Sequence, residues 1–173
     1  NPTTGTRVTL EVTPYTGTFN GPLTTVRTRL DASGYWSPGW DRLVLAGRAA
    51  AGSLTGENVR NIPASLRFYS GGGGSVRGYA YQSLGVQEGS ATLGGRYLLT
   101  LSAEYTHWFD ARWGVATFFD AGQAGDDHEV LKLAPGYGMG ARWKSPAGPL
   151  AVDLAWGQQD KQLRVHFSLA VPF

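Results

Sequence analysis

The sequence predicts an all-β fold: an antiparallel up-and-down transmembrane β-barrel domain over residues 1–173, with eight strands in the chain and a long loop inserted at 56–94. Three observations predict it. Segment after segment alternates apolar and polar side chains, the period of a strand with two different faces. The polar faces carry Arg27, Arg29, Asp31, Arg48, Glu104, Asp120, Arg142, Asp153, Arg164 and His166. Few enclosed soluble cores could desolvate so many charges, although alternation with Gly turns alone would also describe a soluble sandwich or a lipocalin-like barrel. Finally, brief turns alternate with long Gly-rich excursions, as in barrels with short turns on one side of a membrane and loops on the other.

Strands are expected at about 5–18, 23–37, 40–55, 95–109, 112–123, 134–145, 148–158 and 162–173. Most have about 10–15 residues, and a tilted bilayer crossing takes roughly 9–11. The second and third place Arg27, Arg29, Asp31 and Arg48 on the polar side. In the fourth, Leu101-Ser102-Ala103-Glu104-Tyr105 turns Glu104 to that side, and in the fifth Phe118-Phe119-Asp120-Ala121-Gly122 does the same for Asp120. The sixth sets Tyr137, Met139, Ala141 and Trp143 against Gly136, Gly138, Gly140 and Arg142. The seventh sets Leu150, Val152, Leu154 and Trp156 outward against Ala151, Asp153, Ala155 and Gly157. The last is the cleanest, with Leu163, Val165, Phe167, Leu169, Val171 and Phe173 opposing Arg164, His166, Ser168 and Ala170. Ser37-Pro38-Gly39, Asp110-Ala111-Arg112 and Lys144 to Pro149 read as tight turns. Aromatics near strand ends, among them Trp36, Tyr97, Tyr105, Phe109, Trp113, Trp143, Trp156 and Phe173, suit a membrane–water interface.

Composition sets the bounds. The chain has 173 residues, no Cys, one Met and 25 Gly, which fits one domain. Without thiols there is no disulfide scaffold and no Cys-ligated metal, and passage through an oxidising periplasm meets no obstacle. A net charge of +2 from scattered residues argues against a nucleic-acid partner. No apolar run approaches the roughly 20 residues of a membrane helix. A start at Asn1 without a signal peptide is expected of a chain that is processed, cloned from an internal point, or incompletely represented.

The loop is the richest segment. Arg67-Phe68-Tyr69-Ser70-Gly71-Gly72-Gly73-Gly74-Ser75-Val76-Arg77-Gly78-Tyr79 delivers one arginine on a glycine hinge, Gly71 to Gly74. Glu104 and Asp120 would both face Arg77 across a barrel wall. A guanidinium fork can satisfy two carboxylates at once where a lysine could not. The bland alternative is a solvated loop cation.

Enzymatic chemistry finds no support. His107, His128 and His166 lie on different segments, and Ser75 lacks the strand-to-helix context of a nucleophile elbow. An arginine between Glu104 and Asp120 would keep both ionised and spoil the acid of an acid/base pair. No lysine or helix follows the glycines, as a phosphate loop would need. Asp126-Asp127-His128-Glu129 reads as an exposed charged loop before it reads as a cation site. No cofactor or metal is expected.

RFYSGGGGSVRGYAYQSLG resembles the signature loop of the BamA and TamA outer-membrane assembly family, the TamA branch above all. The opening Asn1-Pro2-Thr3-Thr4-Gly5, Glu104, FFDAG and ARWKSPAGPLAVDLAW stand in the order of the second half of that family's barrel. The resemblance covers essentially the whole chain. It implies the outer membrane of a Gram-negative cell, a loop lock of Arg77, Gly78 and Tyr79 on Glu104 and Asp120, and help in inserting or translocating other proteins. Implied partners are outer-membrane lipid, unfolded outer-membrane proteins or autotransporters as clients, and either self-association or a missing N-terminal barrel half. The last strand, from Leu163 to Phe173, also resembles the signal by which such proteins are delivered for assembly, and on a plain reading it is lipid-facing surface. Two features depart from the family, whose members have sixteen strands preceded by POTRA domains, since neither the first eight strands nor a POTRA-like segment is in this sequence. A small integral barrel with a structural, adhesive or narrow-pore role, or an anchor for a passenger, therefore stays open.

An eight-stranded barrel has an interior just wide enough for its own side chains. The loop is pushed outward, or two copies combine, or the chain is half of something larger. Unpaired strand edges in lipid are costly, so closure is expected, by one chain or by two.

Overall fold

The computed structural model describes residues 4–18, 21–39, 42–56, 61–146 and 148–169. Strands β1 (Gly5–Thr18), β2 (Pro22–Trp36) and β3 (Leu43–Gly56) are followed by a long connection that holds the short strands β4 (Val86–Glu88) and β5 (Ala91–Leu93). Then come β6 (Tyr97–Trp108), β7 (Trp113–Gly125), β8 (Ala134–Ser145), β9 (Gly148–Gly157) and β10 (Gln162–Leu169). The eight long strands form one sheet in the order β1-β2-β3-β6-β7-β8-β9-β10, each antiparallel to its neighbours. The strands expected from periodicity are all present, most within two residues of the expected bounds. The β4–β5 hairpin inside the loop is additional, and it turns on Gly89, at φ +62°.

Alternation puts each face where its chemistry belongs. In β7, Ala116, Phe118 and Asp120 are buried on one side, while Trp113, Thr117 and Phe119 are exposed on the other. The outward face carries large apolar side chains open to the surroundings, among them Leu10, Met139, Val165 and Phe167. In water such a continuous surface would be a liability, and against hydrocarbon it is a fit. Trp113 and Trp143, paired across β7 and β8 at the short-turn end, stack with centroids 5.3 Å apart. Val171 and Phe173 of the expected last strand lie outside the described residues.

The core lies between the inner face of the sheet and the segment 61–96. Ile62 and Phe68 pack with Leu23, Leu54, Leu98 and Ala124, while Val76, Tyr79 and Leu84 pack with Ala134. The loop is thus drawn inward, not pushed out.

Among the described residues the closure expected of one chain does not occur. Among the described residues β1 and β10 do not pair with each other and form the two edges of an open sheet. The physical reason is the loop itself. Arg27 of β2 lies over Phe68, Arg48 of β3 bonds Ser75, and His166 of β10 bonds Gly78, so seven consecutive strands from β2 to β10 wrap around one segment. A closed ring of eight would have no volume left for it.

Candidate functional site

The loop is built before it is seated. Phe68 and Gly95 exchange backbone hydrogen bonds of 2.9 and 2.8 Å, and Ser70 and Leu84 exchange bonds of 3.0 and 2.9 Å, closing the segment on itself. The glycine run then makes a tight turn. Gly72 N–H donates to the Val76 carbonyl at 3.1 Å, Ser75 N–H to the Gly72 carbonyl at 3.1 Å, and Gly71 N–H to Ser75 Oγ at 2.8 Å. This turn buries Val76 and aims Arg77 at the wall.

Arg77 meets three carboxylates from three strands. Its Nε and Nη2 donate to Asp120 Oδ2 and Oδ1 of β7 at 2.7 and 3.0 Å, a two-pronged pairing. Nη1 donates to Glu104 Oε2 of β6 at 2.7 Å and to Asp153 Oδ2 of β9 at 3.0 Å. The Arg77 backbone N–H adds a bond of 3.0 Å to Asp120 Oδ2, and the Ser102 hydroxyl donates to Asp120 Oδ1 at 2.6 Å. Asp120 is wholly inaccessible to solvent, so these donors must replace its hydration. The guanidinium carbon also sits 3.4 Å from the Phe118 ring centroid. Burial opposes the charge on Arg77, but the bonds to Asp120 and the attraction of Asp120 and Glu104 more than offset it, and its pKa is raised.

A second guanidinium shares the cluster. Arg142 of β8 donates from Nη2 to Glu104 Oε2 at 2.9 Å and from Nη1 to Asp153 Oδ1 at 2.5 Å. Two cations and three carboxylates interlock; Glu104 and Asp153 each meet both guanidinium groups, whereas Asp120 takes its hydrogen bonds from Arg77 and Ser102.

The next two residues fasten the backbone. Gly78 has φ +95°, and a Cβ there would stand 2.7 Å from Gly157 N and Trp156 C, so only glycine fits. Its N–H donates to His166 Nε2 and its carbonyl accepts from Arg164 Nη1, both at 2.9 Å. Gly136 admits the Arg77 carbonyl in the same way, since a Cβ at 136 would lie 2.1 Å from that oxygen. Tyr79 is fully buried, and its hydroxyl donates to the Pro135 carbonyl at 2.7 Å and accepts from Gln159 N–H at 3.1 Å.

The geometry therefore brings together Arg77, Gly78, Tyr79, Glu104 and Asp120. Reasoning from sequence placed Asp153, Arg142, Arg164 and His166 on the inner face but did not join them to Arg77, and it passed over Phe118 and Ser102. Phe118 could have been found, because period two puts it on the side of Asp120. Leu163, Val165, Phe167 and Leu169 of β10 are exposed on the outward face, far from the loop side. The acidic segment is partly spoken for: Asp126 accepts from Arg96 N–H at 3.0 Å, and Glu129 lies 3.7 Å from Lys132. Among the described residues no group of three His, Asp or Glu side chains could hold a metal ion.

Comparison with known proteins agrees with this picture. The outer membrane protein assembly factor BamA of Nitratidesulfovibrio vulgaris is 31% identical over 115 residues, covering 62% of this chain and 14% of that protein. The crystal structure of BamA from Haemophilus ducreyi lacking POTRA domains 1–3 matches 96% of this chain and 38% of its own, with a TM-score of 0.75. At 18% identity that likeness is one of fold. The chain thus spans well under half the length of either relative. The Omp85 superfamily domain matches residues 1–173, and this chain, with its antiparallel wall and seated loop, belongs to that superfamily of non-enzymatic β-barrel proteins of the Gram-negative outer membrane.

Proposed function

We propose that this chain is the C-terminal barrel region of a TamA-like factor that assists insertion or translocation of outer-membrane proteins, with Arg77, Gly78, Tyr79, Glu104 and Asp120 as a loop lock. The observation that carries the reading is the three-carboxylate seat of Arg77, which ties one loop to β6, β7 and β9 at once. A pore or an inert anchor has no need of so many buried charges, because their desolvation makes them poor sources of net stability. They suit a part whose position must be specified. Gly71 to Gly74 are the hinge on which the tip turns when released. Clients are unfolded outer-membrane proteins or autotransporters, which would approach the edge of the last strand, β10. The exposed row Leu163, Val165, Phe167 and Leu169 serves as lipid-facing surface and as the recognition signal for this protein's own delivery.

Reconstitution of the full-length protein in liposomes tests this. Folding of a separate outer-membrane barrel should be faster than in empty liposomes. No acceleration would remove the assembly reading, and ion conductance without acceleration would favour the narrow pore.

A further inference from the structure

We infer that β10 holds the loop tip directly, through a clamp on the Gly78 backbone in which neutral His166 is the hydrogen-bond acceptor, so that protonating this imidazole loosens the loop. The inference rests on the lock reading and adds to it a positioning pair, His166 and Arg164, and a trigger.

Both polar backbone groups of buried Gly78 are met by side chains of one strand, two residues apart and therefore on the same face. A peptide N–H needs an acceptor, and an imidazole nitrogen accepts only when it carries no proton. His166 Nε2 accepts from Gly78 N–H at 2.9 Å, so the ring proton sits on Nδ1. A second proton would set a donor against a donor. Histidine is the side chain whose charge changes near physiological pH, which makes the contact a natural trigger. Charged groups from each neighbouring element surround the ring: Asp153, its register partner on β9, Asp120 on β7, Arg77 of the loop and Arg164 of β10. The loop also covers the ring, since a Cβ at Gly73 would lie 3.5 Å from His166 Nδ1.

β10 is an edge strand, bonded to β9 on one side only among the described residues. The Gly78 clamp is thus a second attachment of that edge, and displacing β10 pulls on the loop.

The test uses full-length protein in liposomes with Ser70→Cys as the reporter thiol. These 173 residues hold no cysteine, any cysteine elsewhere in the full-length protein is replaced by serine, and Ser70 is 1% exposed. Its Oγ has no hydrogen-bond partner among the described residues, so the substitution leaves no group orphaned. Maleimide labelling, taken at each pH relative to the same protein unfolded in denaturant because the reactive thiolate fraction itself falls with pH, should be slow at about pH 8 and about fivefold or more faster at about pH 5.5, the change expected from one lost hydrogen bond of ordinary strength. His166→Gln keeps an acceptor at both pH values and should stay slow at both. His166→Phe should label fast at both. A pH step that survives in His166→Gln, or slow labelling in His166→Phe, overturns the inference. Heat-modifiable migration checks that each variant is folded. Arg77→Ala in the same background separates the two readings. If it opens the loop while the His166 variants change nothing, only the clamp is wrong; if it too leaves Ser70→Cys protected, the lock itself fails.

Discussion

Arg77→Ala is the most informative single perturbation. The substitution removes four side-chain bonds to carboxylates, but the loss is uneven. Glu104 and Asp153 keep Arg142, at 2.9 and 2.5 Å. Among the described residues Asp120 keeps hydrogen bonds from Ser102 and a backbone N–H, with Arg48 as a more distant cation, and it is 0% exposed. Two charge-assisted bonds at about 1.5–3 kcal/mol each, lost from a buried anion, agree with the roughly 3–5 kcal/mol that breaking a buried ion pair costs. That is about two to four powers of ten in the equilibrium for loop opening. Hydrogen exchange of the Ser70 and Leu84 amides reads it directly, because each donates to the other's carbonyl within the loop. Exchange at both should accelerate by about a hundredfold or more, while central amides of β7 and β8 change far less. An acceleration below about tenfold would refute the reasoning, since Asp120 would then have another way to satisfy its charge.

Other predictions follow from the same contacts. Gly78→Ala and Gly136→Ala place a Cβ against backbone at 2.7 and 2.1 Å and should unseat the loop like Arg77→Ala, whereas Gly74→Ala, with nothing within 4 Å, should leave protease resistance unchanged. Tyr79→Phe orphans the Gln159 amide and removes the donor to Pro135, at about 1–3 kcal/mol, read as faster exchange at Gln159. At the β6–β7 turn, Arg112 N–H and Trp113 N–H donate to Asp110 at 2.7 and 2.8 Å and lower its pKa. A lowered carboxylate pKa means the tie is complete above the ordinary aspartate value and is lost as pH falls through the lowered one. Amide protection at 112 and 113 should therefore fall on acidification, and Asp110→Ala should abolish that pH dependence.

Much of this was legible because the period of two is rigid. Once Phe119 is assigned to lipid, Asp120 and Phe118 must face inward, and the same step fixes Glu104 against Tyr105. The pairing of Arg77 with both carboxylates follows from charge and from the resemblance of the loop. The third carboxylate does not, because Asp153 reaches Arg77 only through the registers of β7 on β8 and β8 on β9, which are contact properties. His166 was hidden for a different reason: its partner is a backbone amide, which leaves no trace in side-chain chemistry. The β4–β5 hairpin was readable from Gly89-Ser90 between two short alternating runs, yet a loop rich in glycine masks so brief a signal. Closure by one chain, one of the two forms expected, does not occur because Ile62, Phe68, Val76 and Tyr79 are all buried in the space a closed ring of eight would need.

The most direct test of the central claim couples the lock to assembly. In one set of proteoliposomes, loop opening by hydrogen exchange and the folding rate of a separate outer-membrane barrel would be measured for the parent, Arg77→Lys and Arg77→Ala. A lysine reaches fewer acceptors than the guanidinium fork, so the lock account predicts a graded series, with acceleration of folding lost in the order in which the loop opens. Full acceleration from an Arg77→Ala protein whose loop is demonstrably open would contradict it.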